Sequence, residues 1–461
     1  MSAGAALLLV GGAVVALLVL VLGLRLHAFL SLLLVSLGVA VVGGIPLGEV
    51  AGEVQRAMGG TLGYIAVVLG VGAMLGELLH RSGGVQRIAV TLLDTFGERG
   101  APTAFGLIGL LVAIPVFFDV AFILLIPLAK RASRRAGRPL VAFAVPLLAG
   151  LAVAHAFVPP TPGPVAVAGL LGAELGWVIL FGLAAGVPAL AVGGLLWGRH
   201  LTHRELRSPA NPHAVADQPD EENKPAPEHG ESHGKAPAAG PTFGLALGLI
   251  LLPLALILVA TVSGVLLDDG GPRGALQLLG HPFVALLLTT LLASALLSRR
   301  CGWTSEEVMA LVDRSLAPLG AILLLTGAGG VLGKVIQATG AGAAVAEAMS
   351  RTGLPLLVLG FVLALGMRLA QGSATVSMVT AAGLVAPVAE AAAPSPALLG
   401  ALTVAVAAGA TACSHVNDSG FWLVSRYLGL DEAQTLRTWT AATALVGFTG
   451  FLVVLALGAS L

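Results

Sequence analysis

Charge is scarce in this chain. Asp, Glu, Lys and Arg make up 10% of 461 residues, against roughly a quarter in soluble domains, which excludes a water-solvated globular fold for most of the sequence. Cysteine is scarcer still. The two present, Cys301 and Cys413, lie far apart, so a disulfide framework is not expected and the redox compartment stays open. Neither sign of charge is in excess, with 24 basic and 24 acidic residues, so neither a nucleic-acid surface nor an acidic solvating tail is expected. No basic residue precedes the first apolar run, Gly4 to Leu24, which has spanning length and reads as a transmembrane helix rather than a cleaved signal peptide. What the chain does have is apolar residues, 57% of the total, and a mean hydropathy of +0.97. Such a chain takes lipid as its solvent.

Apolar runs near spanning length recur at 4–24, 26–46, 61–79, 139–158, 177–197, 243–266, 281–297, 316–332 and 441–459. Two longer stretches, 101–129 and 354–390, are broken by Ile114-Pro115-Val116-Phe117-Phe118-Asp119 and by Gln371-Gly372-Ser373-Ala374-Thr375, and each reads as a re-entrant hairpin. Two more segments carry Pro159-Pro160-Thr161-Pro162-Gly163-Pro164 and Ser414-His415-Val416-Asn417-Asp418-Ser419-Gly420 between apolar halves, which no continuous helix would choose. These read as helices unwound at membrane depth. The expected fold is all-α and polytopic, with about ten full crossings.

Short cytoplasmic loops are enriched in Lys and Arg. Lys130, Arg131, Arg134, Arg135 and Arg138 place their loop inside, and Arg81, Arg87 and Arg99 place the other end of the first hairpin inside as well. That hairpin is expected to enter from the cytoplasm, and counting outward puts both termini outside and opens the second hairpin outward. Segment 199–242 is polar and rich in Pro, Glu and His, and reads as a disordered cytoplasmic linker. It holds His200, His203, His213, His229 and His233, but their irregular spacing does not make a metal site. No metal or cofactor is expected.

The chain also repeats itself. Gly72-Ala73-Met74-Leu75-Gly76 precedes His155 as Gly329-Gly330-Val331-Leu332-Gly333 precedes His415, and each half runs span, amphipathic piece, broken hairpin, then an unwound helix opening with histidine. The expected units are scaffold helices 1–60, a first repeat 61–198, the linker 199–242, connecting scaffold helices 243–315 and a second repeat 316–461. The charge count inverts one repeat relative to the other. Inverted repeats with paired interrupted helices mark secondary transporters and place the substrate where the breaks meet.

Non-helical backbone at membrane depth leaves polar groups that cost several kcal/mol each unless satisfied. Half-helix N-termini suit a carboxylate and C-terminal carbonyls suit a cation. The intramembrane ionisable residues are Asp119, His155, Arg368, His415 and Asp418, all at or beside the breaks, and such residues are usually functional. A substrate carboxylate would meet half-helix N-termini, such as that at Gly163, and Arg368. Hydroxyls would meet Thr161, Ser373, Thr375 and Asn417, with Gly372, His155, His415 and Ser419 completing the site. Asp119 or Asp418 would carry a proton. Arg368 has a plainer reading as the partner of a carboxylate, and Asp418 as a helix cap.

At four motifs the chain resembles the gluconate permease family of the ion-transporter superfamily. They are Phe117-Phe118-Asp119-Val120-Ala121-Phe122-Ile123, the run from His155 to Pro164, Arg368-Leu369-Ala370-Gln371-Gly372-Ser373-Ala374-Thr375-Val376, and the run from Ser414 to Trp422. The resemblance implies proton-coupled uptake of gluconate or a related hydroxy-carboxylate across a bacterial inner membrane. It also implies a homodimer whose hairpin-bearing domain moves against a scaffold. The family commonly has histidine where this chain has Thr161, which leaves the substrate open among sugar acids and amino acids such as D-serine. Sodium coupling is the rival within transport. A membrane enzyme would need a metal-ligand pair, a Ser/Lys dyad or a soluble catalytic domain, and the sequence supplies none. A channel would be told apart by flux that neither saturates nor accumulates solute.

Overall fold

A computed structural model describes residues 3–207, 240–352 and 355–459. Among them the fold is wholly helical. The first half comprises α1 (Ala3–Leu18), α2 (Ala28–Val42), α3 (Leu47–Arg81), α4 (Gly84–Val112), α5 (Phe118–Ala136), α6 (Val141–Phe157), α7 (Pro162–Leu171), α8 (Leu175–Leu190) and α9 (Trp197–Arg207). Then follow α10 (Phe243–Leu266), α11 (Gly271–Leu279), α12 (Pro282–Cys301) and α13 (Ser305–Leu316). The second half comprises α14 (Leu319–Ala338), α15 (Ala341–Thr352), α16 (Leu356–Gln371), α17 (Ala374–Ala392), α18 (Pro396–Thr411), α19 (Ser419–Leu428), α20 (Glu432–Thr435) and α21 (Ala441–Gly458).

Nine helical stretches among the described residues are long and apolar enough to cross a bilayer. One of them, Ala374–Ala392, is the second arm of the expected second hairpin; the other eight coincide with expected crossings, and the remaining two crossings fall on the shorter apolar helices Ala28–Val42 and Pro396–Thr411. Leu8, Leu266 and Leu291 stand exposed on such helices, as lipid-facing residues do.

The helices that lead into the two unwound segments, α6 and α18, are buried on nearly every side. Their Ala-, Val- and Leu-rich sequences are apolar all round, so burial rather than one stripe satisfies them. Equivalent pairs pack in the two halves: α4 on α6 and α16 on α18, α5 on α6 and α17 on α18, α6 on α8 and α18 on α21. The halves interlock through α3 against α14, α7 against α17 and α8 against α18. They differ in one respect: α7 is buried almost throughout, whereas α19 buries only Gly420, Phe421 and Val424.

α4 turns sharply at Gly97, whose φ of +62° a residue with a side chain rarely adopts, so an amphipathic piece ends there and the hairpin arm begins. The hairpin's far end returns to that point, where Arg135 Nε meets Glu98 Oε1 at 3.2 Å. Three expected boundaries fall inside helices, the one at 315–316 only in the last turn of α13. Residue 60 lies within α3, because the apolar periodicity continues back through Val50, Val54 and Ala57, and residue 199 lies within α9. Residues 208–239, which hold His213, His229 and His233, lie outside the described residues.

Candidate functional site

Each break opens where the sequence withdraws a backbone donor or imposes a conformation a helix cannot hold. Pro115 lies between α4 and α5. Pro159 and Pro160 remove two donors after α6, and Thr161 turns its hydroxyl to the Val158 carbonyl at 2.7 Å instead of capping α7. Among the first three residues of α7, Pro162, Gly163 and Pro164, only Gly163 has an N–H, so this half-helix offers a carboxylate fewer donors than an ordinary N-terminus does. Between α16 and α17 the chain turns at Gly372, with φ +80°, and Ser373 caps α17 through a 3.4 Å bond from Val376 N–H. Asp418 caps α19, accepting from Gly420 N–H at 3.1 Å.

The two breaks of the second half meet directly. Arg368, buried in the last turn of α16, reaches Asp418 Oδ2 with Nη2 at 2.5 Å and donates Nη1 to the Gly372 carbonyl. Ser414 Oγ meets the same Asp418 oxygen. Asn417 Nδ2 donates to the Leu369 carbonyl at 3.0 Å, and a Cβ on Gly372 would strike the Asn417 carbonyl. Ser414 is itself held on three sides: Trp439 Nε1 donates to its Oγ at 2.7 Å, Thr440 Oγ1 donates to its carbonyl, and Thr443 Oγ1 accepts from its N–H at 3.1 Å.

The breaks of the first half also meet, around a narrow cleft of about 20 Å³ lined by Gly72, Pro115, Phe117, His155, Thr161 and Leu319. The two pairs are bridged by aromatic rings. Phe118, the first residue of α5, lies 6.3 Å from His155 and 5.7 Å from Trp439 between ring centroids. On the other side Met378 of α17 lies so close to Gly163 that a Cβ there would press on its sulfur. His155 is within electrostatic range of Asp418 and Arg368, and Asp119 within range of Asp418, so the four ionisable residues form one cluster across both halves.

Several polar atoms of this cluster are buried with no protein partner: Arg368 Nε, His155 Nδ1 and both ends of the Gln371 amide. Buried polar groups are ordinarily paired. A cation, an imidazole and a free amide set among apolar helices can therefore recognise a small anion that also carries hydrogen-bonding groups.

The sequence expectations meet this geometry unevenly. The Asp418 carboxylate meets Arg368, Ser414 and Gly420, while its N–H donates to the His415 carbonyl at 2.8 Å; His415 Nδ1 lies 3.0 Å from the Cys413 carbonyl and Ser419 is exposed. Asp119 is exposed in the first turn of α5. Thr375 lies in the first turn of α17, half-buried. The expected correspondence of His155 and His415 does not hold, because His155 lies in the last turn of α6 and His415 lies beyond the end of α18. Thr161 and Asp418 are the positions after which a helix restarts in each unwound segment. Ser414, Trp439, Thr440, Thr443 and Gln371 were absent from the expected site. The available signal was the run Thr435, Thr438, Thr440 and Thr443 around a single Trp at the head of an apolar span.

Residues 5–460 match the family model described as GntP family permease. The low-affinity gluconate transporter of Escherichia coli (strain K12) is 40% identical over 444 residues, covering 96% of each chain. The Gnt-II system L-idonate transporter of the same strain is 34% identical over 459 residues, covering 99% of each. The gluconate permease of Bacillus subtilis (strain 168) is 33% identical over 449 residues, covering 96% of this chain and 97% of its own. Among solved structures the YdaH transporter of Alcanivorax borkumensis aligns with a TM-score of 0.61 at 17% identity, over 94% of this chain and 98% of that one. MtrF of Neisseria gonorrhoeae aligns with a TM-score of 0.61 at 14% identity, over 92% and 93%. At such identities the likeness is one of fold.

Proposed function

The chain belongs to the GntP permease family, and from that premise we propose that it carries gluconate or a closely related sugar acid into the cell together with a proton. It is a multi-pass permease of the inner membrane and not an enzyme. One observation carries the substrate class: Arg368 Nε and the Gln371 amide are buried without protein partners beside the helix breaks, where an anion with hydroxyl groups finds both a charge and hydrogen bonds. Thr161, Ser373, Thr375 and Asn417 supply further polar groups, with Gly163, Gly372, His155, His415 and Ser419 completing the lining.

Proton coupling rests on the carboxylates Asp119 and Asp418 at the breaks and on the resemblance to proton-driven permeases. The recurring order of elements and the matched packing of α4–α6 and α16–α18 support two repeats inverted in the membrane. Within them, the hairpins α4–α5 and α16–α17 are re-entrant and ride with α6, α7, α18 and α19 as a moving domain. The scaffold is α1–α3 with α10–α14, and family likeness supports a homodimer.

Uptake of labelled gluconate by proteoliposomes, driven in turn by a proton gradient and a sodium gradient, tests this reading. Accumulation should follow the proton gradient, saturate, and be competed by L-idonate more strongly than by D-serine. Accumulation that follows sodium at fixed pH, or competition led by D-serine, overturns it.

A further inference from the structure

Arg368 and Asp418 belong to different broken elements of the second half, one ending α16 and the other capping α19. Both are buried, and Nη2 to Oδ2 is 2.5 Å. The carboxylate faces donors only: Arg368, the Ser414 hydroxyl and the Gly420 N–H. A buried charge that loses its partner is strongly destabilised, so Arg368 must face one carboxylate or another at every stage. A ligand anion that approaches Arg368 therefore meets a position already held by Asp418.

We propose that the ligand carboxylate and Asp418 compete for Arg368, and that the displaced Asp418 takes up the transported proton. This rests on the carrier reading above. The ligand carboxylate replaces Oδ2 at Nη2, a proton from the bulk solution, carried by hydronium or a buffer acid, adds to Oδ2, and no covalent bond to the ligand forms or breaks. The site's net charge is unchanged, since one anion enters as another is neutralised. Without the proton a second uncompensated anion would sit at membrane depth, which is costly.

The neighbours favour this exchange. Asp119 on α5 is within electrostatic range and repels a second negative charge, and His155 on α6 is within range of both partners. Cys413 and His415 flank Ser414 on the same segment. Ser414 is the positioning residue: Trp439, Thr440 and Thr443 of the adjoining helix hold it so that Asp418 keeps a hydrogen-bond partner after it leaves Arg368.

The test is calorimetric titration of the full-length protein with gluconate, over a range of pH and in two buffers of different ionisation heat, which reports the protons taken up per ligand. In the wild type a proton is taken up with each gluconate, and on the alkaline side affinity falls about tenfold per pH unit. Asp418→Asn binds gluconate without proton uptake and with no pH dependence. Ser414→Ala, which removes a hydrogen bond to Asp418 and leaves its carboxylate in place, shifts the midpoint of the pH profile and keeps the test decisive if Asp418→Asn does not fold. Proton uptake that persists in Asp418→Asn, or an unchanged profile in Ser414→Ala, overturns the proposal. A wild type that binds gluconate without proton uptake also overturns it and leaves the substrate assignment standing; one that binds no gluconate at any pH overturns the carrier reading itself.

Discussion

Trp439 donates its indole N–H to the Ser414 hydroxyl at 2.7 Å while its ring packs 5.7 Å from that of Phe118. One side chain thus ties the first hairpin to the broken helix of the second half. It is aimed by a π-helical turn, Leu436–Thr440, between α20 and α21, a distortion that recurs at functional sites. Trp439→Phe keeps most of the ring contact and loses the N–H, a bond worth about 1 kcal/mol. Uptake by that variant should fall roughly fivefold while the melting temperature drops by no more than about 2–4 °C, whereas Trp439→Ala should lower both far more. Initial rates in proteoliposomes and thermal melting in detergent separate the two effects, and wild-type rates in Trp439→Phe would show the N–H to be idle.

Gly372 combines two constraints. Its φ of +80° is one that residues with a side chain rarely adopt, and an added Cβ would collide with the Asn417 carbonyl. Its own carbonyl receives Arg368. Gly372→Ala should therefore push the α19 segment away from α16 and abolish transport, with strain of about 1–3 kcal/mol visible as a lower melting temperature. Gly137→Ala is the control, since Gly137 also has positive φ (+59°) but nothing within 4 Å of the added Cβ. It should lose some stability and keep transport. Equal losses of transport in the two variants would mean that strain alone, and not the contact with Asn417, disables the carrier.

The breaks were legible because proline and glycine interrupt apolar runs in ways no helix accommodates. Pro115, Pro159-Pro160, Gly372 and the polar run from Ser414 lie where the helices end. Arg368 and Asp418 stood out singly, as charges too deep to be incidental, but their pairing did not. They are 50 residues apart on two different broken elements, and only packing of α16 on α18 joins them. The histidine alignment misled because spacing alone does not reveal where a helix ends: α6 runs past His155, whereas α18 stops before His415. Trp439 escaped notice for a related reason. It lies just ahead of the apolar run 441–459, among uncharged threonines, and only the structure shows a π turn, Leu436–Thr440, carrying the helix through them.

Asp119 lies exposed in the first turn of α5, where a helix N-terminus favours a carboxylate, and it is close enough to Asp418 to repel it. Among the described residues no ion pair joins it to a buried cation like Arg368, so its expected role is to accept hydrogen bonds from ligand hydroxyls. Asp119→Asn should raise the KM for gluconate roughly fivefold, the loss of one charge-assisted bond's advantage of about 1 kcal/mol, and leave the final accumulation ratio intact. A carrier that no longer concentrates gluconate on a proton gradient would move the coupling proton to Asp119. A lowered KM would mean that Asp119 acts through repulsion alone.

Far from this cluster, Gln337 on α14 donates its amide to Glu390 on α17, and Lys334 lies 3.0 Å from Gln337 Oε1 and 3.6 Å from Glu390. The three line an open cleft of about 320 Å³ whose other wall carries Glu53 and Arg56, themselves paired at 2.8 Å. Deeper in, Gly329 and Gly383 let the backbones of α14 and α17 touch, so the two helices meet on a smooth face with a polar tie at one end. Lys334 and Glu390 are each about half exposed, so their ion pair adds little to stability. If α17 travels with the hairpins while α14 stays with the scaffold, the tie breaks in every cycle, and a covalent link at the same place must stop transport. In a background without Cys301 and Cys413, the double variant Lys334→Cys, Glu390→Cys should transport until treated with a short bifunctional thiol reagent. A cleavable form of the reagent should restore uptake when reduced, and monofunctional labelling should leave uptake largely intact. Full transport by the cross-linked protein would mean that α14 and α17 move as one body, and the boundary of the moving domain would then lie elsewhere.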